Sequence, residues 1–147
     1  MTDELRHRTP LQVRFRDTDA FGHVNNAVFF SYIELARIRY FLDVLQPGQP
    51  FDRLPLILAR VEMDFRSPIM FGEAVEVESG VDRIGRTSIG MSHRMTAAGR
   101  LVGEAQSVLV TYDYEMARPM PVPDEWRAKF AAHEGRSLET SEAVAAG

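Results

Sequence analysis

The sequence predicts an α+β domain: a curved antiparallel sheet of about five strands wrapped around one long central helix. Three observations carry this reading. Residues from about Asn26 to Leu45 read as a helix that is apolar on most of its circumference. One strand precedes it. After it, the chain up to about Tyr114 alternates with period two, broken only by short turns. A helix apolar on most sides must be covered on most sides, and in 147 residues the plausible cover is a sheet that curls.

The elements follow in order. From Pro10 to Arg16, Leu11, Val13 and Phe15 fall on one face and Gln12, Arg14 and Arg16 on the other, the pattern of a half-buried strand. Asp17 to Gly22 is turn chemistry, and Asn25 or Asn26 suits a helix N-cap. In the helix, Ser31, Glu34 and Arg37 recur every three residues as a narrow polar stripe. Glu34 and Arg37 read most simply as a helix-surface ion pair. Gln46-Pro47-Gly48-Gln49-Pro50 ends the helix. Strands are expected over Ile57–Arg66, Val75–Asp82, Thr87–Thr96 and Leu101–Tyr114, with turns at 83–86 and 97–100. Such short turns imply a meander. Three prolines between Met116 and Pro123 exclude a central strand there. Asp124 is expected to cap a short helix through about His133. The domain is thus read as residues 1–133, and 134–147 as a polar, disordered tail.

Bulk properties narrow the function. A net charge of -4 argues against nucleic acid or an acidic membrane surface as partner. Lys129 is the only lysine, so arginine forks would have to hold any phosphate-bearing ligand. There are no cysteines, which excludes disulfides and thiolate chemistry. No stretch has the apolar length of a membrane helix, and Met1 to Arg8 lacks the apolar core of a signal peptide, so a cytoplasmic protein is expected. The meander leaves sheet edges open, and one small sheet cannot cover so apolar a helix. A homo-oligomer, dimer or tetramer, is expected to relieve both.

The stretch Asp17-Thr18-Asp19-Ala20-Phe21-Gly22-His23-Val24-Asn25-Asn26 is the most informative of the chain. It places a carboxylate beside the start of a helix. A carboxylate can attack an activated carbonyl or deprotonate water, and exposed N–H groups at a helix start can hold the oxyanion. Asp19 is the candidate base or nucleophile. Asp17, at the strand end, more simply pairs with an arginine or a turn N–H. His23 is a supporting catalytic candidate that shapes the loop. Asp17, Asp19 and His23 are too few for a metal centre, and none is assigned. Arg60, Arg66, Arg86 and Arg94 are candidate phosphate contacts, some of which are expected to converge at the mouth of the site.

These residues, with Tyr32, Glu34, Ala36 and Arg37 and the later Asp64-Phe65-Arg66-Ser67-Pro68 and Phe71-Gly72-Glu73, resemble the hotdog-fold acyl-CoA thioesterases of the 4-hydroxybenzoyl-CoA thioesterase type. The resemblance spans roughly Leu11 to Pro123. It implies the hotdog fold, Asp19 as catalytic carboxylate and the backbone N–H of Asn26 as oxyanion contact. It further implies that Phe21, Gly22, Val24, Asn25 and Glu34 lie against the substrate, at a site on a dimer interface. The His23-Val24-Asn25-Asn26 segment resembles short- and medium-chain enzymes of the group more than its name-giving member. The substrate implied is an acyl-CoA; coenzyme A is part of it, and no separate cofactor is expected. Two alternatives stay open: a hydratase or dehydratase on the same fold, and a non-catalytic acyl-CoA or acyl-carrier binding module.

Overall fold

The strands form one antiparallel sheet, but only the last three long strands make the expected meander. The computed structural model describes residues 4–48, 50 and 53–139. Strand β1 (His7–Gln12) is followed by a short 3-10 turn (Phe15–Asp17) and helix α1 (Asn26–Leu45). Then come β2 (Leu56–Phe65), β3 (Ala74–Ile84), β4 (Ser88–Ala97), β5 (Arg100–Asp113), the two-residue β6 (Arg118–Pro119) and α2 (Asp124–Glu134). The sheet order is β1-β3-β4-β5-β2, with β6 added on β5; β2 does not pair with its sequence neighbour β3, as a full meander would require, but crosses to the far edge beside β5, and β1 takes the place beside β3. This is the hotdog arrangement, with α1 as its central helix.

The sheet works as a cover because its inward residues alternate. Val77, Met91, Met95 and Leu109 face the helix, and Phe29, Ile33, Ala36, Tyr40 and Phe41 of α1 meet that face. The apolar core forms two clusters. One surrounds the N-terminal half of α1 with Val24, Ile69, Val75, Val102 and Ala105. The other surrounds its C-terminal half with Ile84, Ile89, Leu109 and Phe130. Between them the sheet carries a buried polar belt. His93 Nδ1 lies 2.9 Å from Ser79 Oγ, and its Nε2 lies 2.8 Å from Ser107 Oγ.

Several expectations need correction. The first strand ends at Gln12, because Asp17 reaches back to the Arg14 amide and curls the chain into the 3-10 turn. Phe15 therefore points outward, 78% exposed, rather than into the core with Val13. Pro123, not Asp124, is the N-cap of α2. The polar tail does not begin at Glu134. That residue is buried and accepts hydrogen bonds from the Tyr40 hydroxyl and the Val81 amide. Leu138 is buried, and Glu139 bridges to Ile84. Residues 140–147 lie outside the described residues. No helix among the described residues is long and apolar enough to cross a membrane.

Candidate active site

The loop between the first strand and α1 folds as a miniature hairpin. Thr18 bridges Val24, the Asp19 amide donates to the His23 carbonyl at 2.8 Å, and the Gly22 amide donates to the Asp19 carbonyl at 3.0 Å. Gly22 closes this turn at φ 83°, a conformation that disfavours any side chain. The loop is then pinned to the chain after β2. Val24 donates to the Ile69 carbonyl at 2.8 Å, and His23 bridges Met70.

Asp19 is half-buried at this hairpin. Its Oδ1 accepts from the Phe21 amide at 2.9 Å, which orients the carboxylate. Its other oxygen has no protein partner among the described residues. A few residues on, Asn25 caps α1, with its Oδ1 accepting from the Ala27 amide at 2.8 Å. The Asn25 carbonyl takes the Val28 amide at 2.8 Å. That leaves the Asn26 N–H as the helix-start donor without a partner among the described residues. An oriented carboxylate, a free amide and the positive end of a 20-residue helix therefore share one small region.

Asp17 holds this arrangement together. It is 2% exposed and accepts from the Arg14 amide at 2.9 Å, Arg14 Nη2 at 3.2 Å and the Tyr32 hydroxyl at 2.7 Å. Its own carbonyl accepts from the Asn25 amide at 2.9 Å. Burial pushes its pKa up, but the hydrogen bonds from Arg14 and Tyr32 outweigh that and hold it below the usual carboxylate value. The Tyr32 hydroxyl is pushed the other way, by burial and by this carboxylate. Asp17 is thus committed to structure, as its position at the strand end suggested.

A second anchor was not legible in the sequence. Arg100 Nη1 and Nη2 grip Glu73 at 2.7 and 2.8 Å, and Arg100 also reaches Ser67 Oγ at 3.1 Å and the Pro68 carbonyl. Arg100's hydrogen bonds, and then the Met70 amide, pull the Glu73 carboxyl down to about 2. This clamp fixes the segment on which His23 and Val24 rest. Glu73 and Arg100 are far apart in sequence, and only the strand register brings them together.

The remaining sequence candidates scatter. Phe21 stands at the loop tip, 82% exposed, as a surface a ligand can meet. His23 is half-buried, and its ring has no hydrogen-bond partner among the described residues. Val24 is not positioned to line a substrate; it is 2% exposed and belongs to the core. The Asn25 side chain is occupied as the cap. Glu34 is exposed on α1, but Arg37 is buried at 6% exposure, so the pair is not the surface ion pair expected from their spacing.

The four arginines do not converge. Arg60 and Arg94 point from the outer face of the sheet and pair with Glu62 at 3.1 Å and Glu78 at 3.1 Å. Arg86 lies in the β3–β4 turn, at the opposite end of the sheet from the loop. Only Arg66, bonded to Glu104 at 3.0 Å, follows the end of β2 whose Phe65 packs on Phe29 near the helix start.

The fold is shared with known thioesterases. Residues 13–130 match the family described as the thioesterase-like superfamily. A thioesterase from Thermus thermophilus, solved with coenzyme A and zinc, is 42% identical; the alignment covers 89% of this chain and 96% of that one, with a TM-score of 0.78. A predicted thioesterase from Bacillus stearothermophilus is 30% identical over 86% of this chain and 94% of its own, with a TM-score of 0.80. The acyl-CoA thioester hydrolase YbgC of Escherichia coli is 24% identical over 84% of this chain and 94% of its own. The family match spans most of the chain and includes the whole Asp17–Asn26 loop; this protein belongs to the thioesterase-like superfamily.

Proposed function

We propose that this protein hydrolyses acyl-CoA thioesters to free acid and coenzyme A, as a homo-oligomer. The observation that carries the reading is the unpartnered Asn26 N–H beside an oriented Asp19 with one free carboxylate oxygen. In this reading the thioester carbonyl sits on the Asn26 N–H. Asp19 either attacks it, expelling coenzyme A thiolate to leave a mixed anhydride for water to cleave, or deprotonates the attacking water. Both routes add one water and release an acid and a thiol. The helix start stabilises the charge that develops on the carbonyl oxygen. A thiolate is a good leaving group, so a carboxylate and an oxyanion donor suffice, and no separate cofactor is called for. The names of the coenzyme A-bound neighbour and of YbgC support the same substrate class.

The oligomer follows from the same surfaces. β2 is ten residues long, contains no proline and pairs only with β5 among the described residues. The other edge, β1, carries Pro10. Leu35 at 51% and Leu58 at 44% exposure lie on α1 and β2. A second copy pairing along β2 would cover both.

The test is a panel of acyl-CoA thioesters, with the matching acyl-pantetheine thioesters, followed with a thiol reporter. Release of free thiol from one or more acyl-CoAs, well above the uncatalysed rate, is expected. Binding without release would favour the acyl-binding module. Release from pantetheine thioesters alone would move the substrate class to carrier-bound acyl groups.

A further inference from the structure

Arg37 is a charged residue of α1 held almost wholly out of solvent. It is 6% exposed, yet it makes no hydrogen bond or ion pair among the described residues. Its stem is buried while the guanidinium nitrogens keep an edge at the surface, unpaired among the described residues and open to a partner. Burial depresses its pKa, and Glu34 one turn back pulls the other way without reaching ion-pair contact. Glu34 is itself exposed and unpartnered among the described residues. The chain thus holds two opposite charges, each lacking a partner.

Their position says where the partners come from. Phe30, Glu34 and Arg37 form one row on α1, spaced by four and three residues. Phe30 packs on Phe65 of β2 at 6.1 Å, so the row runs along the β2 side of the helix. The C-terminal half of α1 packs near Leu54 and Leu56, so the helix runs back along β2 from Phe65. Arg37 is seven residues beyond Phe30, about 10 Å of helix rise, which matches about three strand residues and brings it level with Glu62 and Val61. Val61 is near the centre of β2 (Leu56–Phe65). The midpoint of the open edge and the Glu34–Arg37 pair are therefore level. An antiparallel pairing of two β2 strands about their centres would bring two copies of this row face to face, running in opposite directions.

We infer that Glu34 of each subunit pairs with Arg37 of the other across the two-fold axis, forming a four-charge cluster that completes the centre of a homodimer. The occupant is a second copy because the row is self-complementary: opposite charges, i and i+3, related by a two-fold. The inference rests on the homo-oligomer proposed above.

Glu34→Arg and Arg37→Glu are prepared separately and together, with distinguishable tags. A Glu34→Arg subunit carries two positive charges in the row, and an Arg37→Glu subunit two negative ones. Neither can form an intrachain pair. Each alone should lose self-association. Mixed or co-expressed, they should give heterodimers about ten-fold in excess of a statistical mixture, as resolved by native mass spectrometry. If either single variant is insoluble alone, co-expression should still yield soluble heterodimer. Wild type that is dimeric, with variants that self-associate normally or show no heterodimer preference, overturns the inference and leaves the homo-oligomer standing. Wild type that sediments as a monomer overturns both. Thiol release by the wild type reports separately on the hydrolase reading.

Discussion

The Tyr32 hydroxyl donates to Asp17 Oδ2 at 2.7 Å, and this one contact ties the Asp19 loop to the helix it precedes. Tyr32 stands on the second turn of α1, and the Asp17 carbonyl holds the Asn25 cap at 2.9 Å. Loop and helix start are thereby locked into one register. Tyr32→Phe removes the donor and leaves a buried carboxylate short of a partner. It should cost about 1–3 kcal/mol of unfolding free energy, read by urea denaturation at neutral pH. Wild-type stability in this variant would show that Arg14 alone satisfies Asp17.

The strands themselves, the helix bounds and the Asn25 cap were legible because each rests on a local signal: period two, an apolar circumference, a capping side chain; the place of β2 beside β5 was not, because it depends on a long-range crossover. The Asp19 loop was legible for the same reason. What the sequence could not show depends on contacts between distant residues. Arg37 reads as surface from its spacing with Ser31 and Glu34, yet the curl of the sheet leaves it only 6% exposed. Glu134 opens a polar tail in sequence, but it has the Tyr40 hydroxyl to accept. Arg100 and Glu73 meet only because β5 brings the chain back beside the β2–β3 connection.

Acid should reveal His93. Burial, and then the charge of Arg37, press its pKa from 6.5 down to about 3. The native ring stays neutral where the unfolded chain takes up a proton. Its contribution to stability is complete above about pH 6.5 and is lost as pH falls from there toward 3, approaching about 1.4 kcal/mol per pH unit. His93→Gln keeps a donor and an acceptor for Ser79 and Ser107 but has no proton to gain. Urea unfolding at pH 7, 6 and 5 should show a steeper decline in wild type than in this variant. Parallel declines would mean that His93 titrates alike in both states.

The arginines separate by position. Arg66 follows the end of β2 nearest the helix start, and Arg86 lies at the far turn. If the nucleotide of an acyl-CoA reaches the mouth of the site, Arg66→Ala should raise KM about ten-fold with little change in kcat, because a phosphate contact binds ground and transition states alike. Arg86→Ala should leave both constants unchanged. Equal effects, or none, would mean the nucleotide is held by backbone, by the partner subunit or by solvent.

Asp19 is the group on which the proposed hydrolysis turns. Asp19→Asn is nearly isosteric and preserves the side-chain oxygen that accepts from the Phe21 amide at 2.9 Å, so the loop should keep its shape. The amide is neither a nucleophile nor a base at neutral pH. The decisive measurement is turnover of the best acyl-CoA by wild type and Asp19→Asn side by side, with unchanged circular dichroism confirming the fold. A loss of at least about a hundred-fold in kcat is expected. A folded Asp19→Asn variant with near-wild-type turnover would contradict the proposed role of Asp19.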